Sequence, residues 1–267
     1  MKTWIKQLLR RNKYLEMLAY ILQNNQILNS SGSGEFDTTI DGMYKHSVNV
    51  GNLYSEKYSN DLDGKTVLEI GTGYTRSTML NIIKEFNINK AYCYDRFNCL
   101  HENDEIIIKT KGLEGSLDRL EYISGINEEL LKIDKNSIDY IISNAVLEHV
   151  DDLELLFSIL SKLLKEDGTM YHKVDLRCHN RFKNYGELYF HTFSNKFWNV
   201  MGGKIGQPNR KLLKDYVKLF EKYNLSYQIN ILEYFDDFEL KKAEFYLKNK
   251  NTDDYKVSIV EFKLCKK

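Results

Sequence analysis

Neither sign of charge prevails in this chain: lysine plus arginine equals aspartate plus glutamate at 38 each in 267 residues. Without a basic field nothing draws the protein onto DNA or RNA, and no nucleic-acid partner is expected. Long apolar runs are missing too. None approaches the roughly 18 residues of a membrane span, and the N-terminus mixes charges into its helical pattern, so a soluble, cytoplasmic protein with no transmembrane segment is expected. Cysteine is sparse: Cys93, Cys99, Cys178 and Cys265 form no CxxC pair, which argues against a disulfide framework and structural zinc and suits a reducing compartment. Proline occurs once, as Pro208; beside abundant Lys, Asn, Ile and Tyr this fits AT-biased coding and has no functional content.

What is present is a chain that is 42% hydrophobic, enough for one substantial core, so that one domain with elaborations is expected rather than two folding units. From Trp4 to about Leu28 the residues Ile5, Leu8, Leu9, Leu15, Leu18, Ile21 and Leu22 mostly recur at helical spacing, with Arg10, Arg11 and Lys13 on the other side. This amphipathic helix is expected to pack on the domain or on a second copy of it, as in a homodimer; a membrane-surface helix is the alternative. The following SSGSGEFD reads as a linker, and FDTTIDGMYKHSVNVGNLYSEKY as a polar, aromatic lid in which Tyr44, His46 and Tyr54 stand out. Residues 1–60 are thus set apart from a domain over 61–267. After Gly64 strands and helices alternate: TVLEI, a helix near Thr78 to Phe86, KAYCYD, EYISG, a helix through Glu128 to Leu131, SIDYIIS, a helix from Asp151 to Leu164, and TMYHKVDL. That alternation implies crossovers and a mostly parallel sheet, which Tyr227–Glu233 and Val257–Leu264 would close as an antiparallel pair.

In such a sheet ligands sit beyond the carboxyl ends of the strands, so the first strand-to-helix turn, within KTVLEIGTGYTRST, is where a cofactor belongs. A dinucleotide fingerprint wants GxGxxG, but after Gly71 and Gly73 the third place holds Arg76, which would crowd a pyrophosphate; a phosphate-binding Gly-Lys-Ser/Thr loop is absent as well. The acid two residues before the GxG turn, E69-I-G71-T-G73-Y-T75, resembles instead the first motif of the class I S-adenosylmethionine-dependent methyltransferases. Asp95 ends the next strand, twenty-two residues past Gly73, where an acid can accept hydrogen bonds from both ribose hydroxyls. The segment SIDYIISNAVLEHVDDLELLFSILSKLLKEDGTMY resembles the same family's fourth strand, followed by VLEHV, a helix and L-K-x-x-G. The resemblance covers about Lys65 to Asp175. It implies an α/β, doubly wound, seven-stranded, mostly parallel, Rossmann-like sheet, an S-adenosylmethionine cofactor, and Glu69, Gly71, Thr72, Gly73, Asp95, Ile126 and Asn144 as the residues that hold it, with Gly125 and Asn127 beside Ile126 near the adenine. Glu148 either caps the next helix or opens with His149 onto the cleft. Arg76 either caps or salt-bridges the first helix or faces the acceptor.

Beyond the fifth strand, YHKVDLRCHNRFKNYGELYFHTFSNKFWNVMGGKIGQPNR gathers histidines, arginines and aromatics at the sheet edge, and an acceptor-binding insertion is expected at about 176–210. Its H172-K-V-D175-L-R-C178-H179 resembles the H-x-I-D-L-x-D-H stretch of bacterial methyltransferases of surface-polysaccharide biosynthesis, with Cys178 in place of the second acid. Two mechanisms stay open. In the favoured one, neutral His172 or His149 takes a proton from an acceptor hydroxyl and Asp175 orients it; in the other, histidines and Asp175 hold a divalent ion, although no compact ligand spacing supports a metal. Arg177, Arg181 and Arg210 suit phosphate oxygens or serve as surface salt bridges, and with Tyr44, His46, His179 and His191 they are the expected acceptor contacts. The expected protein is an O-methyltransferase acting on a sugar or phosphoryl compound; the alternatives are a non-catalytic cofactor-binding partner of an active methyltransferase and, from the turn alone, a dehydrogenase.

Overall fold

Val67, Leu68 and Ile70 are buried, and their neighbours in sequence point to opposite sides, so the first strand has apolar contacts on both faces. This strand, β1 (Thr66–Ile70), sits inside a seven-stranded sheet with β2 (Lys90–Asp95), β3 (Leu120–Ser124), β4 (Ile138–Asn144), β5 (Leu164–Asp175), β6 (Leu225–Tyr234) and β7 (Val257–Lys266). The computed structural model describes residues 11–25, 27, 37–58, 61–202, 207–248 and 251–267. The strand order is β3-β2-β1-β4-β5-β7-β6. β1 to β5 are parallel, and β7 runs antiparallel to both β5 and β6. This is the doubly wound sheet that the alternating segments and the methyltransferase resemblance imply, with its closing antiparallel pair. The order reverses between β1 and β4, which puts a crevice at their carboxyl ends.

Helices cover both faces. On one side α1 (Lys13–Asn24) lies away from the sheet, while α2 (Ile40–Tyr58) and α3 (Ser77–Phe86) bury Tyr54, Met79 and Ile83 against Val67, Ile142 and Tyr171. The short α4 (Asp104–Thr110) adds Ile107 and Ile108 to the buried set. On the other face α5 (Leu153–Leu163) packs Phe157 and Leu160 on Leu68, Ile141 and Met170. Asp152 caps α5 by accepting the Leu155 N–H at 2.8 Å, so the helix starts two residues later than Asp151. Within the insertion lies α6 (Asn195–Gly202); α7 (Leu213–Lys222) and α8 (Asp237–Tyr246) flank β6.

Three expectations shift. Glu128 to Leu131 belongs to a 3-10 turn, Asn127–Lys132, not an α-helix: it has only the space between β3 and β4, and it buries Leu130 alone. β5 starts at Leu164 rather than Thr169, directly after α5. Of the N-terminal helix, α1 accounts for Lys13–Asn24, and the stretch from Trp4 to Arg10 lies outside the described residues. Tyr20 and Ile21 of α1 pack on an aromatic cluster of the insertion, with Phe182, Phe190 and Trp198 at its centre. Among the described residues no helix is long and apolar enough to cross a membrane.

Candidate active site

The turn after β1 is built around two glycines in the left-handed region, Gly71 at φ +83° and Gly73 at φ +69°. A methyl group on Gly71 would lie 2.2 Å from a Val146 methyl carbon, so the close approach of this turn to the β4 end requires glycine. A methyl on Gly73 would meet nothing within 4 Å among the described residues. The Gly71 N–H donates to the Tyr94 carbonyl at 2.7 Å and the Gly73 N–H to Asp95 Oδ2 at 2.9 Å, which ties the turn to the end of β2. Register does the rest: Ile70 pairs with Ser143 and with Tyr94, and Asp95 with Ser124, so the ends of β1, β2, β3 and β4 open at one level.

Between them lies a cavity of about 790 Å³. All seven residues expected to hold the cofactor line it: Glu69, Gly71, Thr72 and Gly73 from the first turn, Asp95 from β2, Ile126 after β3 and Asn144 from β4. Each Asp95 oxygen accepts one backbone N–H, from Gly73 or from Phe97 at 3.0 Å, and keeps lone pairs for further donors. Burial pushes the Asp95 carboxyl above its ordinary range. Glu69 is 3% exposed; burial drives its carboxyl from 4.5 up to about 8, and no cationic side chain pairs with it among the described residues. A ligand carrying an ammonium group and a ribose fits these two carboxylates. Tyr94 supports the neighbouring edge by donating to the Gly125 carbonyl at 2.8 Å and to Asn127 Oδ1 at 3.0 Å.

The other expected residues divide. His149 lines the cavity, and so does His46 of α2 together with Ser47 and Tyr54. His172 does not: it is fully buried under α5 against Phe157, with Nδ1 2.8 Å from Ser143 Oγ, and burial lowers its basicity to about 3. Asp175 is also off the wall; burial alone would raise its carboxyl, but Arg177, bonding it at 2.8 and 2.6 Å, holds it below its ordinary range. That pairing occupies Arg177. Arg181 lies over the Tyr20 ring at 4.4 Å, and Arg210 over the Trp198 ring at 5.3 Å while donating to the Phe190 and Phe193 carbonyls and to Asn195. His191 is packed between Phe190 and Tyr255. Tyr44 donates to Asn81 Oδ1 at 3.3 Å, outside the cavity. Cys178, where the resemblance has an acid, points into the insertion core and donates to Glu187 at 2.9 Å. Arg76 pairs with Asp104 at 2.6 Å and with Glu105, so it is a salt bridge.

The turn after β4, Leu147–His149, carries Glu148 inward and His149 to the cavity. It is clamped by Asn209, whose side chain donates to the Leu147 and Val150 carbonyls at 2.8 and 2.9 Å and whose N–H donates to the Glu148 carbonyl at 2.6 Å. Asn209 was not among the expected site residues, although its neighbour Arg210 was. Burial pushes Glu148 up to about 8; it is 2% exposed, and its Oε1 accepts the Asp175 N–H at 3.2 Å. His179, from the loop after β5, stands beside it with Nε2 3.7 Å from Glu148 Oε1 and its ring 4.7 Å from that of His149. Also missed were Arg96, Phe97 and Asp151, which line the cavity from loops whose course no periodicity marks.

A family model described as a methyltransferase domain matches residues 51–230. No curated protein sequence matches the chain. Among solved structures, phosphoethanolamine N-methyltransferase 2 of Haemonchus contortus in complex with S-adenosyl-L-methionine superposes with a TM-score of 0.55 at 17% identity, over 85% of this chain and 57% of that one. The same protein with phosphomonomethylethanolamine and S-adenosylhomocysteine gives 0.54 at 16%, over 92% and 60%. This chain therefore spans less than two thirds of their length. Geranyl diphosphate C-methyltransferase of Streptomyces coelicolor A3(2), with Mg2+, geranyl diphosphate and S-adenosyl-L-homocysteine, gives 0.53 at 14%, over 88% and 86%. At these identities the likeness is one of fold.

Proposed function

The chain belongs to the methyltransferase-domain family; on that premise we propose that it is an S-adenosylmethionine-dependent enzyme that methylates a hydroxyl oxygen of a small polar acceptor, a sugar or a phosphoryl- or nucleotide-linked precursor of a bacterial surface polysaccharide. The observation that carries this reading is His149, whose imidazole opens onto the same cavity as all seven cofactor residues. S-adenosylmethionine supplies a methyl group on a sulfonium sulfur, which leaves the protein to align the acceptor and relieve it of a proton. Glu69 meets the ammonium group, Asp95 accepts from the ribose hydroxyls, Ile126 gives the base an apolar edge, and the backbone at Gly71 and Gly73 admits the remainder. His149 stands where the acceptor hydroxyl loses its proton. His172 is enclosed and Asp175 is paired, so neither reaches that proton. With Arg181 and Arg210 engaged in the insertion, Arg96 on the cavity wall is the arginine that meets a phosphoryl group. The helix α2 closes the cavity with His46, Ser47 and Tyr54.

Incubation with labelled S-adenosylmethionine and a panel of nucleotide sugars, free sugars and phosphoryl metabolites, read by mass spectrometry, should give one methylated hydroxyl product. His149→Ala should keep cofactor affinity in calorimetry and lose turnover by about 100-fold or more, as removal of a group acting on the proton does. Undiminished turnover in that variant removes His149 from the chemistry, and product from amines alone removes the hydroxyl acceptor.

A further inference from the structure

Glu148 and His149 leave β4 on one short turn, and His179 reaches the same corner from the loop after β5. One carboxylate oxygen of Glu148 and one ring nitrogen of each histidine all lie within 4.8 Å of one another. Glu148 is 2% exposed, and its Oε2 has no hydrogen-bond partner among the described residues. The geometry points to a divalent transition-metal site held by Glu148, His149 and His179 at the edge of the acceptor cavity.

Two imidazole nitrogens and one carboxylate are the donor set of Zn2+, Mn2+, Fe2+ or Co2+ rather than of Mg2+ or Ca2+, which prefer oxygen alone. Bonds of about 2.0–2.2 Å put donor atoms roughly 3 Å apart, so the cluster contracts around an ion. His179, on an exposed turn, supplies that movement, while the Glu148 side is fixed by Asn209 through the Leu147, Glu148 and Val150 carbonyls. Three protein ligands leave positions open, and His149 belongs to the cavity wall, so the open side faces the acceptor. An acceptor hydroxyl coordinated there gives its proton to solvent at lower pH than it does free in water. The inference rests on the reading of this cavity as an acceptor site and makes His149 a ligand.

The test is calorimetric titration of the chelator-treated full-length chain with Zn2+ and with Mn2+, without acceptor. One ion per chain is expected, lost in His179→Ala and in Glu148→Gln and kept in His101→Ala, a histidine outside the cluster. Bound Mn2+ should broaden the imidazole resonances of His149 and His179. Uptake by His179→Ala equal to that of the wild type overturns the site, as does no uptake by the wild type; if Glu148→Gln fails to fold by circular dichroism, His179→Ala decides alone. Because binding is read without acceptor, an acceptor panel that yields no product leaves the site standing. A chain that takes up no ion yet loses turnover in His149→Ala leaves the acceptor reading standing with a bare imidazole.

Discussion

Glu69 faces the cavity with its charge suppressed by burial, near 8 against an ordinary 4.5. A raised carboxyl holds its proton in the folded, free protein through neutral pH, and a ligand ammonium stabilises the ionised form. Cofactor binding should therefore release a proton and strengthen as pH rises from about 6 to about 8, approaching tenfold per unit at the acid end. Calorimetry in buffers of different ionisation enthalpy reads the released proton, and Glu69→Gln should remove both the release and the pH slope. A wild-type affinity flat across this range would refute the assignment. At this scale the cavity wall from Glu69 to Asn144 was legible because its residues follow the ends of strands that the hydrophobic runs locate. His172 was not. β5 is buried on both faces, so a polar residue in it looks from the sequence as if it emerged at the strand end, whereas its side chain lies under Phe157.

Among the elements, the turn Leu147–His149 depends on a residue sixty positions away. Asn209→Ala deletes two side-chain hydrogen bonds to its carbonyls and should cost about 1–3 kcal/mol of stability, read from urea unfolding. Because the turn presents His149 while the first glycine turn is anchored separately to β2, kcat should fall with cofactor affinity unchanged. Equal loss of both would mean that Asn209 supports the fold alone. The insertion shows why the acceptor side was hard to read. Arginines interleaved with aromatics suit a binding surface, but they also suit cation–π packing, and the structure takes Arg181 and Arg210 for the latter. Spacing carries no information on which use prevails, since α1 provides the Tyr20 ring from more than 150 residues upstream.

For the molecule as a whole, buried titratable groups set how stability responds to acid. His172, held near 3, stays neutral in the fold, whereas the unfolded chain binds that proton below about 6.5, so its contribution is intact above 6.5 and is lost as pH falls toward 3. Glu69 and Glu148 act oppositely, binding more protons folded than unfolded between about 4.5 and 8. His172→Leu isolates the first effect: between pH 6.5 and 5 the wild type should lose about 2 kcal/mol more than the variant in urea titrations. Parallel curves would place a proton on His172 in the fold. The alternation of strands and helices made the sheet legible at this scale, but not its order, because sequence periodicity is blind to which strands are neighbours.

That order has a consequence for how the chain is made. Each of β2 to β5 finds a partner among strands already synthesised, whereas β6 does not: among the described residues its neighbour is β7, which comes after it and slots between β6 and β5. Until the ribosome has delivered Val257–Lys266, two strand edges wait open on the nascent protein. A chain deprived of Val257–Lys266 would keep the turns after β1 and β4 in place but leave its sheet unsealed and exposed to proteases, so this one strand decides whether the fold is closed.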